Sequence, residues 1–190
     1  YEISACLVGS EMCIRDRLKE NHHMKFTVRD LVQIALVTAL YVIFTAMPPF
    51  NAISYGVLQF RLSEMLGFLA FYKPKYIIAL TLGCILANFN SSLGLIDVVV
   101  GSLQTLIFTS LGVYLFRKYM GQKILGYNKA FLFFSLLYAF TMFTIAGELT
   151  YVTHVPFLAT WATTALGELI SLLIGGYIIS LLAKRVDLSK

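Results

Sequence analysis

Residues 59–75 read QFRLSEMLGFLAFYKPK. Arg61 and Glu64 stand at the entrance of an apolar run, and Lys73-Pro74-Lys75 closes it. A helix lying against water spreads its charges along one face. Here they are confined to the two ends, the distribution expected of a segment whose solvent is lipid. The whole chain agrees. Of its 190 residues 58% are hydrophobic and only 13% charged, with mean hydropathy +0.78. A soluble domain carries about a quarter charged residues, and a core of this size could not hide so much apolar surface. The net charge of +5 does not imply nucleic acid, because the basic residues fall in short clusters between apolar runs, as in membrane loops. Cys6, Cys13 and Cys84 show no paired spacing, so neither a disulfide nor a metal site is expected.

Residues 1–23 are set apart. CLVGSEMCIRDR resembles translated adapter sequence, the stretch is too short and too charged to span a bilayer, and MKFTVRD at Met24 reads as a natural start. We read 1–23 as an artefactual or disordered leader and 24–190 as one six-helix transmembrane domain. A bilayer core of about 30 Å needs roughly 20 apolar residues as helix. Six spans are predicted, near 31–47, 57–72, 75–90, 95–116, 130–147 and 157–183. The second and third are short, as expected of segments that end in a polar pocket rather than in lipid.

Lys and Arg set the orientation. Lys25 and Arg29 precede the first span, and Lys73 and Lys75 join the second to the third. Arg117, Lys118, Lys123 and Lys129 join the fourth to the fifth, and Lys184, Arg185 and Lys190 follow the sixth. The other connections hold Arg61 alone. Basic and nearly bare loops alternate, which six spans with both termini cytoplasmic satisfy.

On that topology Glu64, Asn88, Asp97 and Glu148 mark the outer ends of the second to fifth spans. Glu168 lies about three turns below the outer end of the sixth. A charge in the bilayer costs several kcal/mol unless it is paired or wetted, so polar groups from five helices at one depth point to a pocket. Asp97, Gly101 and Gln104 form an i, i+4, i+7 stripe, Thr81, Cys84 and Asn88 share a face, and so do Trp161 and Glu168. Carboxylates that accept, an amide that does both and a ring that stacks suit a planar, hydrogen-donating ligand. Glu64 and Asp97 equally suit snorkelling to the headgroups; Glu168 is too deep for it. Arg61 reads as the partner of an acid, His154 as a solvated loop residue, and Tyr151 and Trp161 also fit an interfacial aromatic belt. Ala35 and Ala39, four apart, make a small face on an otherwise apolar helix that allows close approach of another helix. Gly167, Ser171 and Gly175 make a similar stripe. No phosphate-binding loop, metalloprotease motif or nucleophile elbow is present in the sequence.

QFRLSEML at 59–66, TLGCILANFNSSLGLIDVVVGSLQTL at 81–106 and the late Gly-Glu in LGELI at 166–170 resemble the QueT family. These are substrate-binding (S) components of energy-coupling factor (ECF) transporters for queuosine precursors. The resemblance covers about residues 25–185. It implies an all-α membrane protein with six transmembrane helices, both termini cytoplasmic, an S-component fold, and a site open to the outside. It also implies partners, namely an EcfT-like transmembrane coupling subunit docking at Ala35 and Ala39 and two ABC-type ATPase subunits, with no catalysis and no cofactor. The implied 7-deazaguanine ligand would meet Glu64, Asn88, Asp97, Glu148, Trp161 and Glu168, supported by Arg61 and Gln104. Three other readings stay open: an S component or small carrier for another vitamin-like solute, an intramembrane enzyme using paired acids, and a structural subunit whose polar layer is filled by protein side chains.

The topology is testable in intact cells. We predict that Gln122→Cys resists impermeant thiol reagents while Thr153→Cys reacts; the reverse pattern would overturn the orientation.

Overall fold

The computed structural model describes residues 26–185, apart from 49, 51–53, 55–59, 92 and 125. The leader at 1–23, the expected start of the second span at Val57, and the terminal Lys190 lie outside the described residues. The chain divides into two units, 1–31 and 32–190. Within the first, Thr27 and Asp30 cap a helix start reciprocally: the Thr27 backbone N–H and hydroxyl donate to Asp30 Oδ2 at 3.0 and 2.7 Å, and the Asp30 N–H donates to Thr27 Oγ1 at 3.2 Å. This satisfies donors that the first turn leaves unpaired.

The elements are α1 (Val28–Ala46), a 3-10 helix (Leu62–Phe71), α2 (Lys75–Asn88), α3 (Leu95–Phe116), a 3-10 turn (Arg117–Tyr119), a hairpin of β1 (Lys123–Ile124) and β2 (Tyr127–Asn128), α4 (Lys129–Thr141), α5 (Phe143–Thr153) and α6 (Phe157–Arg185). Among the described residues four helical stretches are long and apolar enough to cross a membrane: Val28–Ala46, Leu95–Tyr119, Lys129–Thr153 and Phe157–Arg185. The expected second and third spans are the two shorter apolar helices, Leu62–Phe71 and Lys75–Asn88.

The exterior differs from that of a soluble protein, and the core holds acids beside its apolar side chains. Leu103, Ile107, Leu166, Ile170 and Ile174 point outward, whereas Glu64, Asn88, Asp97, Glu148 and Glu168 are buried. An apolar exterior with the charged groups turned inward is what lipid demands.

The segment after Arg61 is a 3-10 helix, not the α-helix expected. At about 2.0 Å per residue its ten residues cover about 20 Å, where an α-helix would cover about 15 Å. Residues three apart eclipse one another in this geometry. Phe68 and Phe71 therefore fall in one row, and both meet Phe131 and Phe134 of α4, with centroids 4.4–5.6 Å apart. Met65 of that row rests on α6 at Gly175, where a Cβ would collide with the Met65 side chain. The Gly167, Ser171 and Gly175 stripe thus serves packing inside the chain, since all three are buried.

The expected fifth span is two helices that meet at Met142. No proline breaks it. Thr141 and Thr144 donate their hydroxyls back to the carbonyls of Tyr138 and Thr141, at 2.7 and 3.0 Å. Such bonds compete with the helical ladder and bend it. The second piece runs on past Gly147 to Thr153, so Glu148 lies within α5 rather than at its end. His154, exposed and at φ 56°, ends the helix in the left-handed conformation, and Pro156 follows.

Candidate functional site

Arg61 occupies the cap position of the 3-10 helix and Glu64 its first turn. The spacing of three that opens the sequence puts both in one row, facing the interior. Both ends of this short stretch are anchored. The Tyr41 hydroxyl of α1 donates to Glu64 Oε1 at 2.5 Å, with both groups buried. The Thr45 hydroxyl donates to Ser63 Oγ at 2.7 Å. Ser171 of α6 donates to the Arg61 carbonyl at 2.6 Å.

Arg61 and Glu64 line a small cavity together with Glu168 of α6. Gly101, Gln104 and Thr105 of α3 form another wall, and Tyr138 and Met142 at the α4–α5 break complete it. The Tyr138 hydroxyl donates to Thr105 Oγ1 at 3.4 Å, and the Gln104 amide donates to Met142 Sδ at 3.3 Å, a weak acceptor. The cavity measures about 10 Å³, room for about one water. A bicyclic ligand enters only if the walls part. The weakly held Gln104 side chain and the flexible Met142 are the groups that yield most readily.

Glu168 is 0% exposed, and among the described residues neither of its oxygens has a hydrogen-bond partner. A carboxylate in this condition costs several kcal/mol relative to water unless donors are supplied. The lining therefore offers two carboxylates and one guanidinium, one carboxylate held by Tyr41 and the other able to accept.

The remaining expected residues take different places. Asn88 donates to the Asp97 carbonyl at 3.0 Å and stands 3.5 Å from Asp97 Oδ1, while its own oxygen has no partner among the described residues. This pair adjoins the cavity through Gly101, where a Cβ would strike the Asn88 amide. Glu148 is buried with both oxygens unpartnered among the described residues, but it does not line the cavity. Trp161 turns outward. Its N–H donates to the Phe140 carbonyl at 3.2 Å, its ring stacks on Phe157 at 6.2 Å, and it borders a separate apolar groove with Phe140 and Leu169. Sharing a face with Glu168 did not bring it to the same space, because seven residues along α6 is about 10 Å of depth.

Sequence reasoning missed Tyr41, Thr105, Tyr138 and Met142. The two tyrosines carried a usable signal, since each stands in the middle of an apolar run, away from the ends where belt aromatics sit.

The Tyr41–Glu64 bond is charge-assisted and buried, a class worth about 1.5–3 kcal/mol. We predict that Tyr41→Phe destabilises the purified protein by about that amount in detergent. After Glu64→Gln the same change should cost much less, giving a coupling energy of at least about 1 kcal/mol in a double-mutant cycle. Additive costs would show that the two side chains do not support each other.

A family model described as QueT transporter matches residues 31–185. The chain is 54% identical over 163 residues to the queuosine precursor transporter QueT of Lactococcus lactis subsp. cremoris (strain MG1363), covering 85% of this chain and 96% of that protein. No solved structure matches significantly. Both findings name transporters and not enzymes, and the chain belongs to the QueT transporter family.

Proposed function

We propose that this chain is the membrane-embedded substrate-binding component of an ECF-type importer, taking a queuosine precursor of the 7-deazaguanine type from outside the cell. The observation that carries the reading is Glu168, a fully buried carboxylate without a partner among the described residues, in a cavity shared with Arg61 and Glu64. A 7-deazaguanine presents a ring N–H and an exocyclic amine on one edge, and one carboxylate can accept both. Glu168 takes that edge, and Glu64, steadied by Tyr41 and Arg61, lies across from it. A cationic aminomethyl group would favour a second acid. Asn88, Asp97 and Glu148 form the polar layer beside the cavity and come into reach when its walls part. Trp161, bordering the separate groove, joins the site only if α6 and α4 shift. The name of the Lactococcus relative supports the ligand class.

The proposed topology counts the two short helices as spans. It gives six crossings of a bacterial plasma membrane, both termini cytoplasmic, with the cavity nearer the outer side. The partners are a transmembrane coupling subunit and two ABC-type ATPases. Ala35 and Ala39 are exposed on α1, next to Leu36 and Leu40, so a partner helix could pack closely there.

Two experiments test this reading. Glu168→Gln keeps the volume but turns one acceptor into a donor. We predict that it weakens binding of 7-aminomethyl- or 7-cyano-7-deazaguanine roughly tenfold or more in calorimetry on the purified chain, with near-normal expression. Unchanged affinity here and in the Gln or Asn replacements of Glu64, Asp97 and Glu148 would make the polar layer structural. Ala35→Trp should block assembly with the coupling subunit yet leave ligand binding by the isolated chain intact, because close-packed helices absorb extra atoms poorly. Undisturbed assembly and transport would show ordinary lipid-facing surface.

A further inference from the structure

A second concavity lies where the β1–β2 hairpin meets the last turns of α6. It holds about 220 Å³ and is lined by Tyr72, Lys123, Tyr127, Tyr177, Ser180 and Lys184, among others. The hairpin is held in place. The Tyr127 hydroxyl donates to the Leu173 carbonyl at 3.2 Å, with Leu172 O at 3.5 Å, and sits where only a glycine, Gly176, leaves room. Burial pushes the Tyr127 pKa up to about 12, so it remains a donor throughout the physiological range. This pinning brings Lys123 of β1 to the same concavity as Lys184 of α6, over 60 positions away in sequence.

Three observations identify a ligand class. First, among the described residues the lining holds two ammonium groups and no carboxylate. Lys118 and Lys129, near Lys123 in sequence, are engaged elsewhere, since both lie over the Tyr119 ring at 5.1 and 5.0 Å. Second, the buried Ser180 hydroxyl has no hydrogen-bond partner among the described residues. Third, the basic pocket adjoins a largely apolar one of about 500 Å³ lined by Ile178, Leu181 and Leu182 together with Lys184 and Arg185, and the two share Leu181 and Lys184. Tyr177 and Leu181 are exposed on a helix long and apolar enough to cross a membrane. A charged socket opening onto a greasy trough matches a molecule with an anionic head and hydrocarbon chains.

We propose that this is a binding site for an anionic phospholipid, its phosphodiester held between Lys123 and Lys184 with Ser180 donating, and its acyl chains along Leu181 and Leu182. Basic pockets at helix ends recognise acidic headgroups in this way. A lipid there would tie the hairpin to α6 at the end of the molecule remote from Glu168. On the orientation proposed above this is the cytoplasmic leaflet, but the site stands without the transport reading.

The test uses the full chain in neutral detergent, with palmitoyl-oleoyl phosphatidylglycerol as probe and the phosphatidylcholine of the same chains as control, scored by native mass spectrometry. Phosphatidylglycerol should be retained over phosphatidylcholine by roughly tenfold or more, given about fivefold per lysine. The Lys123→Gln/Lys184→Gln pair should abolish that preference, and the Lys123→Arg/Lys184→Arg pair should keep it. Both lysines are exposed, so the melting temperature in lipid-free detergent should not move. Equal retention of the two lipids, or a preference that survives the Gln pair, overturns the proposal. Displacement of phosphatidylglycerol by millimolar inorganic phosphate also overturns it, since the site would then be one for free phosphate.

Discussion

The hydrogen bond from Tyr41 to Glu64 is the interaction on which the interior depends. In a soluble protein a carboxylate can turn to water. In a helix bundle surrounded by hydrocarbon it must find donors within the chain or bring the cost of its charge into the fold. Tyr41 supplies one, and Arg61, three residues earlier, supplies opposite charge in the same row. The pair can face one cavity because the segment is wound as a 3-10 helix. Ser171 and Thr45 then hold its start between α6 and α1. Glu168 completes the cavity without a donor of its own among the described residues. The difference between these two acids, one satisfied from within and one not, is the structural basis of the proposed function.

The packing follows from the same solvent. Lipid gives helices no hydrophobic reason to associate, so close contact between backbones and dispersion between side chains must serve. Gly175 admits Met65, and Gly101 brings α3 against Asn88. The phenylalanines of the 3-10 helix lock with Phe131 and Phe134, and Phe134 lies against Tyr138 at 5.4 Å. The apolar cluster thereby positions a tyrosine of the cavity wall. The chain breaks at Met142, in that same wall, where threonine hydroxyls weaken the helical ladder.

Much of this was legible in the sequence. Composition and the spacing of basic residues identified the medium, and the α3 bounds, Leu95–Phe116, were read to the residue, because a long apolar stretch between Gly94 and Arg117 leaves little choice. The sequence marks Glu64, Asp97, Glu148 and Glu168 alike as charges that lipid tolerates only when paired or wetted, and leaves Glu64 and Asp97 equally suited to snorkelling; it does not say which of the four share a cavity. The 3-10 winding was not legible, since no residue type specifies it and tertiary contacts along Phe68 and Phe71 decide it. The break at Met142 was hidden for a similar reason, as threonines in an apolar run look harmless until their hydroxyls turn inward. Trp161 shows the limit of periodicity. A helical wheel gives direction around the axis but says nothing of what stands opposite at each depth, and Phe140 stands opposite Trp161.

The central claim is that a 7-deazaguanine binds between Arg61, Glu64 and Glu168, inside the bundle. The most direct measurement is photocrosslinking of the purified chain with a diazirine-bearing 7-deazaguanine, the labelled peptides being mapped by mass spectrometry and competed with unlabelled ligand. The account predicts competed labelling within 61–67, 101–105, 138–142 and 164–168. Competed labelling confined to the outer groove beside Trp161 and Leu166, or labelling that unlabelled ligand does not displace, would contradict it.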